Sequence, residues 1–181
     1  MEILQIIEYW SNKGYIPYSY SMSQLKNSRL NKQTIEFLNQ CGLPSDSAPF
    51  LSFYNWEDVP IPTVKNEYNS DVEELSDYLM IGFNGYGDPV CIDLAKGNEI
   101  VFLNHDNDFE RIFINTDIQR FIQCLMRYTD FIEFTNSSDS SNFINERFDK
   151  IEVEKLRLDL YNIDINCLSD NSMWYRELMD K

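Results

Sequence analysis

Residues 78–125 read YLMIGFNGYGDPVCIDLAKGNEIVFLNHDNDFERIFINTDIQRFIQCL, and their pattern decides the fold. Tyr78–Phe83 is apolar and too short for a helix. Asn84-Gly85-Tyr86-Gly87-Asp88-Pro89 is dense in turn formers. Val90–Leu94 is a second apolar run, with Asp93 as its one charge. Lys96-Gly97-Asn98 turns the chain into a third run, Glu99–Leu103. A polar loop, Asn104–Asp108, leads to a fourth, Arg111–Ile114. Short apolar runs bounded by Gly, Asn, Asp and Pro predict an antiparallel meander. The period then changes. Ile118, Phe121, Ile122, Leu125, Tyr128 and Ile132 fall at helical spacing. Thr116, followed three residues later by Gln119, predicts a capping box at the start of that helix. The glycines between 84 and 89 are expected to supply positive φ in a tight hairpin.

That order of elements and residues resembles the SUKH superfamily, named for a yeast cell-wall synthesis regulator and for bacterial immunity proteins. The residues that carry the resemblance are Ile81-Gly82-Phe83-Asn84-Gly85-Tyr86-Gly87-Asp88-Pro89, Cys91-Ile92-Asp93, His105-Asp106, and Phe113-Ile114-Asn115-Thr116 with Phe121 in the helix. Asn84 stands where the family pattern has an acid, and Thr116 where it has serine. Further motifs are similar to the fourth subgroup. They are Thr34-Ile35-Glu36-Phe37-Leu38, Gly42-Leu43-Pro44, Phe50-Leu51-Ser52-Phe53, and Trp174 with Glu177-Leu178. The resemblance implies an α+β fold, and it implies a protein that neutralises a toxin, often a nuclease. Gly82, Gly85, Gly87, Asp93, Asn115, Phe121 and Trp174 match the common pattern and are assigned to the fold rather than to recognition.

Length and composition bound the rest. A chain of 181 residues is most simply one domain, 1–181, with a substantial core. Apolar residues make up 43% and aromatics 14%, so a folded globule is expected rather than disorder. No apolar run reaches the ~20 residues that a membrane-spanning helix needs. The opening MEILQIIEYW lacks a basic leader and a small-residue cleavage site, so a cytoplasmic location is expected. Cys41, Cys91, Cys124 and Cys167 are scattered through apolar surroundings, which predicts free, buried thiols. His105 is the one histidine, so a zinc site is not expected, and neither is any cofactor.

Outside the centre the signals are local. Glu2–Asn12 is predicted helical, with Ile3, Ile6, Ile7 and Trp10 on one face and Lys13-Gly14 as its stop. Tyr15–Leu25 reads as an irregular or edge segment, because Pro17 argues against a central strand. Its tyrosines fit either a contact surface or a cover for the core. Lys32–Cys41 is a helix capped by Asn31 and stopped at Gly42-Leu43-Pro44. Phe50–Tyr54 is a strand. Asn55–Asp77 is a loop with room for a short strand near Ile61–Val64. Thr135–Asn142 is a polar linker. Phe143–Leu160 has helical spacing first and alternation after Glu154, so its second part is the weaker helix. Ile163–Leu168 is turn-like, and Asn171 or Ser172 caps a last helix that carries Trp174 as a packing residue. The fold class is therefore α+β: a mainly antiparallel sheet of about five to six strands with helices packed against it.

The charge speaks most directly to function. Thirty acids against fifteen bases give −15, with the excess densest in residues 61–80, where five acids face one lysine. Such a chain is repelled by nucleic acid and anionic membranes, so neither is an expected partner, whereas a basic protein is attracted. The plainer reading of the same number is solubility.

For catalysis the one candidate is His105-Asp106 beside Asp108 and Glu110. A histidine–aspartate hydrolase needs more histidines. The Asp106-x-Asp108-x-Glu110 spacing resembles half a calcium loop, but Arg111 stands at its sixth position, where glycine belongs. Asn84-Gly85-Tyr86-Gly87 lacks the lysine of a phosphate loop. No catalytic residue is assigned. The expected partner is a cognate protein toxin, basic and nuclease-like. The expected contact set is acidic, with Glu57, Asp58, Asp71, Glu73, Glu74 and Asp77 from the loop and Asp88, Asp106 and Asp108 from strand-end turns. Tyr54, Trp56 and Tyr86 are its expected aromatic anchors. A regulatory scaffold with a non-toxin partner, or a ligand-binding domain built on the His105 region, are the other readings open to the sequence.

Overall fold

The runs between residues 78 and 115 form a sheet, and two short strands before them extend it. The computed structural model describes residues 2–26, 28–56 and 59–179. The strands are β1 (Asp46–Ser47), β2 (Leu51–Phe53), β3 (Tyr78–Phe83), β4 (Pro89–Asp93), β5 (Glu99–Asn104) and β6 (Glu110–Asn115). They lie side by side in sequence order, each antiparallel to the next. Leu79 pairs with Ile92, and Ile92 with Ile100. One step along, Met80 pairs with Cys91, and Cys91 with Val101. Side chains alternate faces along a strand, so these two rows point to opposite sides. Both rows are buried. The sheet is therefore covered on both faces.

One face carries the larger core. Helices α1 (Ile3–Asn12), α2 (Met22–Leu25), α3 (Lys32–Gln40), α5 (Ile118–Thr135), α6 (Lys150–Ile163) and α7 (Met173–Met179) supply its cover. The centre of that layer is α5, with Phe121, Ile122, Cys124, Leu125 and Tyr128 fully buried. Burial of each such aliphatic or aromatic side chain contributes roughly 1.5–3 kcal/mol. The other face is covered by a lid, residues 61–77, that holds α4 (Val64–Glu67) and a 3-10 turn at Glu73–Asp77. Val64 and Leu75 of the lid pack on Met80, Cys91, Val101 and Leu103. The Met80 amide donates to the Pro62 carbonyl at 2.9 Å, and Thr63 bridges Leu79. The short strand expected near Ile61–Val64 is thus a single bridge, which still protects the outer edge of β3.

Several expectations are corrected. The long helix is capped by Asp117, whose carboxylate accepts from the Arg120 amide at 2.8 Å, and not by Thr116. Thr116 instead gives its amide and hydroxyl to Asp164. In Phe143–Leu160 the order is reversed. Residues 143–149 are turn and irregular chain, whose Phe143 and Phe148 rings pack against Tyr128 and Phe131, and the helix runs from Lys150 onward. The alternation in that stretch has a physical cause: α6 is apolar on two sides. Val153, Leu156 and Leu160 face the core, while Ile151 and Leu158 are exposed. Tyr15–Leu25 contains the short helix α2, with Ser21 and Gln24 forming a capping box. Of its tyrosines, Tyr20 is buried, while Tyr15 and Tyr18 remain about two-fifths exposed, at 36% and 40%. Phe50 lies outside β2, with φ of +56°, and is 74% exposed.

Asn31 caps α3 as expected, accepting from the Thr34 amide at 2.8 Å. Asp93 also fulfils its assignment to the fold. One carboxylate oxygen accepts from the amides of Ala95 and Lys96, and the other pairs with Arg111 at 2.8 Å. No helix among the described residues is long and apolar enough to cross a membrane.

Candidate functional site

An antiparallel meander brings alternate loops to the same end of the sheet. At one end lie Phe50 before β2, the hairpin Asn84–Asp88 between β3 and β4, and the loop His105–Phe109 between β5 and β6. Asn84 builds the hairpin. Its side-chain oxygen accepts from the amides of Tyr86 and Asp88, both at 2.9 Å, and its Nδ2 donates to Asp88 at 2.9 Å. Gly87 takes φ of +86°, as a turn residue of this kind must. Gly85 has a different reason, close approach, because a Cβ there would stand 3.0 Å from the Cβ of Phe50.

Asp88 ties the hairpin to the neighbouring loop. Its Oδ1 accepts from the His105 amide at 3.0 Å and lies 2.7 Å from His105 Nδ1. Asp88 is only 6% exposed, so it organises the site from within. The other ring nitrogen of His105 lies 3.4 Å from an Asp106 oxygen. The imidazole therefore staples two loops together. Among the described residues, no group of three or more His, Cys, Asp or Glu side chains could hold a metal ion.

On this frame Tyr86 stands 89% exposed at the hairpin tip, and Phe50 stands beside Gly85. Between them opens a groove of about 650 Å³. Asn104 and Asp106 form part of its wall, and Met173, Arg176 and Glu177 of α7 form another. The Tyr128 hydroxyl donates to Glu177 at 2.9 Å, which anchors that carboxylate. The lid reaches the same end: Tyr68 donates to the Gly87 carbonyl at 3.4 Å and stacks edge-on against Phe109. Burial, then the neighbouring Cys91 and Asp88, raises the Tyr68 hydroxyl above its ordinary range.

The expected contact residues fall into groups. Tyr86, Asp88 and Asp106 line the tip groove, with Asp108 exposed in the adjoining loop at φ of +48°. Asp71, Glu73, Glu74 and Asp77 lie on the lid. Glu73 pairs with Lys65, and Asp77 pairs with Arg29 at 2.9 Å. Tyr54 and Trp56 line a second hollow at the β1–β2 edge, with Tyr18 and Val59. Trp56 is a packing residue there: it touches both cores and donates its indole N–H to the Met80 carbonyl at 3.1 Å. Tyr54 is 45% exposed and rests on Trp56 and Phe83. Glu57 and Asp58 lie outside the described residues.

The sequence reading missed Phe50 as a surface residue, and missed Met173, Arg176 and Glu177 as neighbours of the hairpin. Nothing local signals α7, whose place depends on long-range packing.

A family model describing SUKH-4 immunity proteins matches residues 20–180. The chain belongs to the SUKH-4 immunity protein family. An immunity function follows from that membership, and with it a cognate toxin as partner. Comparison with curated proteins and with solved structures returns no match.

Proposed function

We propose that this protein is a non-catalytic, cytoplasmic bacterial immunity protein that binds and neutralises a basic, nuclease-type toxin through an acidic surface. The family match over residues 20–180 carries the immunity part. The finer part is supported by charge. A nuclease presents a basic cleft to phosphates, and a chain of net charge −15 is drawn to such a surface from a distance. Steering of this kind raises the association rate, which matters when protection must outrun damage. Asp106 and Asp108 at the tip and Asp71, Glu73, Glu74 and Asp77 on the lid supply the field. Tyr86, with Phe50 beside it, supplies the apolar anchor, and Tyr54 offers a second contact at the sheet edge. Asp88 keeps the tip in shape rather than meeting the partner.

The test is survival. The toxin domain encoded beside this chain is expressed in a sensitive cell, with and without the protein. Rescue together with a stable, salt-sensitive complex supports the reading. A toxic domain that is neither rescued nor bound contradicts it and favours a regulatory scaffold with another partner.

A further inference from the structure

We propose that the tip groove receives a basic side chain, arginine above all, carried on a loop of the toxin. The proposal deepens the reading above and rests on it for the identity of the partner. Three features of the groove support it. First, its rim holds two large rings in water. Phe50 is 74% exposed and Tyr86 89%. Phe50 also sits in the left-handed region at +56°, a strained conformation for a residue of this kind. Burial does not offset that strain in the free protein, so the ring is placed for an encounter.

Second, the backbone beneath the rim is fixed. Asn84 and Asp88 fix the hairpin under Tyr86, and His105 fixes the hairpin to the next loop. A preformed site loses little entropy on binding. Third, the walls are acidic. Asp88, Asp106 and Glu177 line the groove against one guanidinium, Arg176, and they keep their local partners: Asn84 and His105 hold Asp88, His105 lies near Asp106, and Tyr128 donates to Glu177. Carboxylates beside aromatic faces match a guanidinium, which pairs in its plane and stacks through its faces. An anionic ligand meets the opposite of what it needs.

The test compares the full-length protein with Phe50→Ala, Tyr86→Ala and Asp106→Asn by titration against the toxin domain encoded beside it. Each aromatic truncation is expected to weaken binding at least about tenfold, with unchanged melting temperature because both rings are exposed. Asp106→Asn is expected to weaken it several-fold and to flatten the salt dependence. If the complex forms and all three variants bind like the parent, the groove proposal is overturned while the immunity reading stands.

A second arm needs no toxin. N-acetyl-arginine amide, with the norleucine analogue as control, is titrated into isotope-labelled protein. Saturable shifts confined to Phe50, residues 84–88 and residues 104–106, absent with norleucine, support the groove. No shifts, shifts spread over the lid acids, or equal response to norleucine overturn it. A protein that takes arginine in the groove yet neither binds nor rescues from the toxin keeps the groove and removes the toxin reading.

Discussion

Asn115 and Trp174, 59 residues apart in the chain, meet inside the protein, where the indole N–H donates to the Asn115 side-chain oxygen at 2.9 Å. Both are fully buried. Asn115 gives its Nδ2 to Asp164 at 2.9 Å, and Asp164 also accepts from the Thr116 amide and hydroxyl. One polar knot therefore ties the end of β6, the end of α6 and the start of α7. Asn115→Ala strands the indole N–H and removes a donor from buried Asp164, so a loss of about 2–4 kcal/mol is expected in urea unfolding. Trp174→Phe and Asn115→Ala together should cost less than the sum of the single changes. Additive costs contradict a shared bond.

Asp93 and Arg111 make a second such pair. Asp93 is 1% exposed, and Arg111 bridges it to Glu99. Asp93→Ala frees two turn amides and leaves a partly buried guanidinium with half its partners. Because Arg111 keeps some access to water, the expected loss is about 2–3 kcal/mol, below that of a wholly buried pair. A midpoint within experimental error of the parent contradicts the assignment.

The central meander and α5 were legible because their signals are local: turn residues, short apolar runs and a change of period. The knot was not, because nothing near Asn115 points to residues 164 or 174. The two-sided α6 misled for a clear reason. Ile151 and Leu158 add an outer apolar face to Val153, Leu156 and Leu160, and the mixture mimics a strand. Part of the site was legible. Tyr86 and Asp106 do line one groove, but Phe50 and α7 complete it from distant segments. Asp88 read as a surface acid because its hairpin position is visible and its partner His105, on another loop, is not.

Alkali should unfold the protein. Burial raises the Cys41 thiol from its ordinary 9.0 to about 11, and raises the hydroxyls of Tyr20 and Tyr128 above their ordinary 10.0. The native chain keeps these protons at a pH where the unfolded chain has begun to lose them. Fewer protons on the unfolded state mean that stability falls as pH rises. The Cys41 contribution is complete below about pH 9 and is lost through about pH 11, while the tyrosine contributions begin to fall only above their ordinary 10.0. The urea midpoint should hold from neutral to weakly alkaline pH and then drop. A midpoint that rises in this window contradicts the burial of these groups.

The cysteines give a simpler check. All four are buried, with Cys91, Cys124 and Cys167 at 0% and Cys41 at 3%. Burial both hides them and holds the Cys41 and Cys91 thiols in their unreactive protonated form. A colorimetric thiol reagent should find no rapid reaction in the native protein and full reaction after unfolding. Rapid native labelling of any one contradicts its placement.

The central claim is that an acidic surface delivers this protein to a basic toxin, and the association rate tests it most directly. The rate constant for the toxin domain is measured by stopped flow across a range of salt, for the parent, for Asp106→Lys with Asp108→Lys, and for Glu36→Lys on α3. The account predicts a steep fall with salt for the parent, a slower and flatter profile for the tip reversal, and a parent-like profile for the α3 reversal. A rate that ignores salt and the tip charges alike would contradict it.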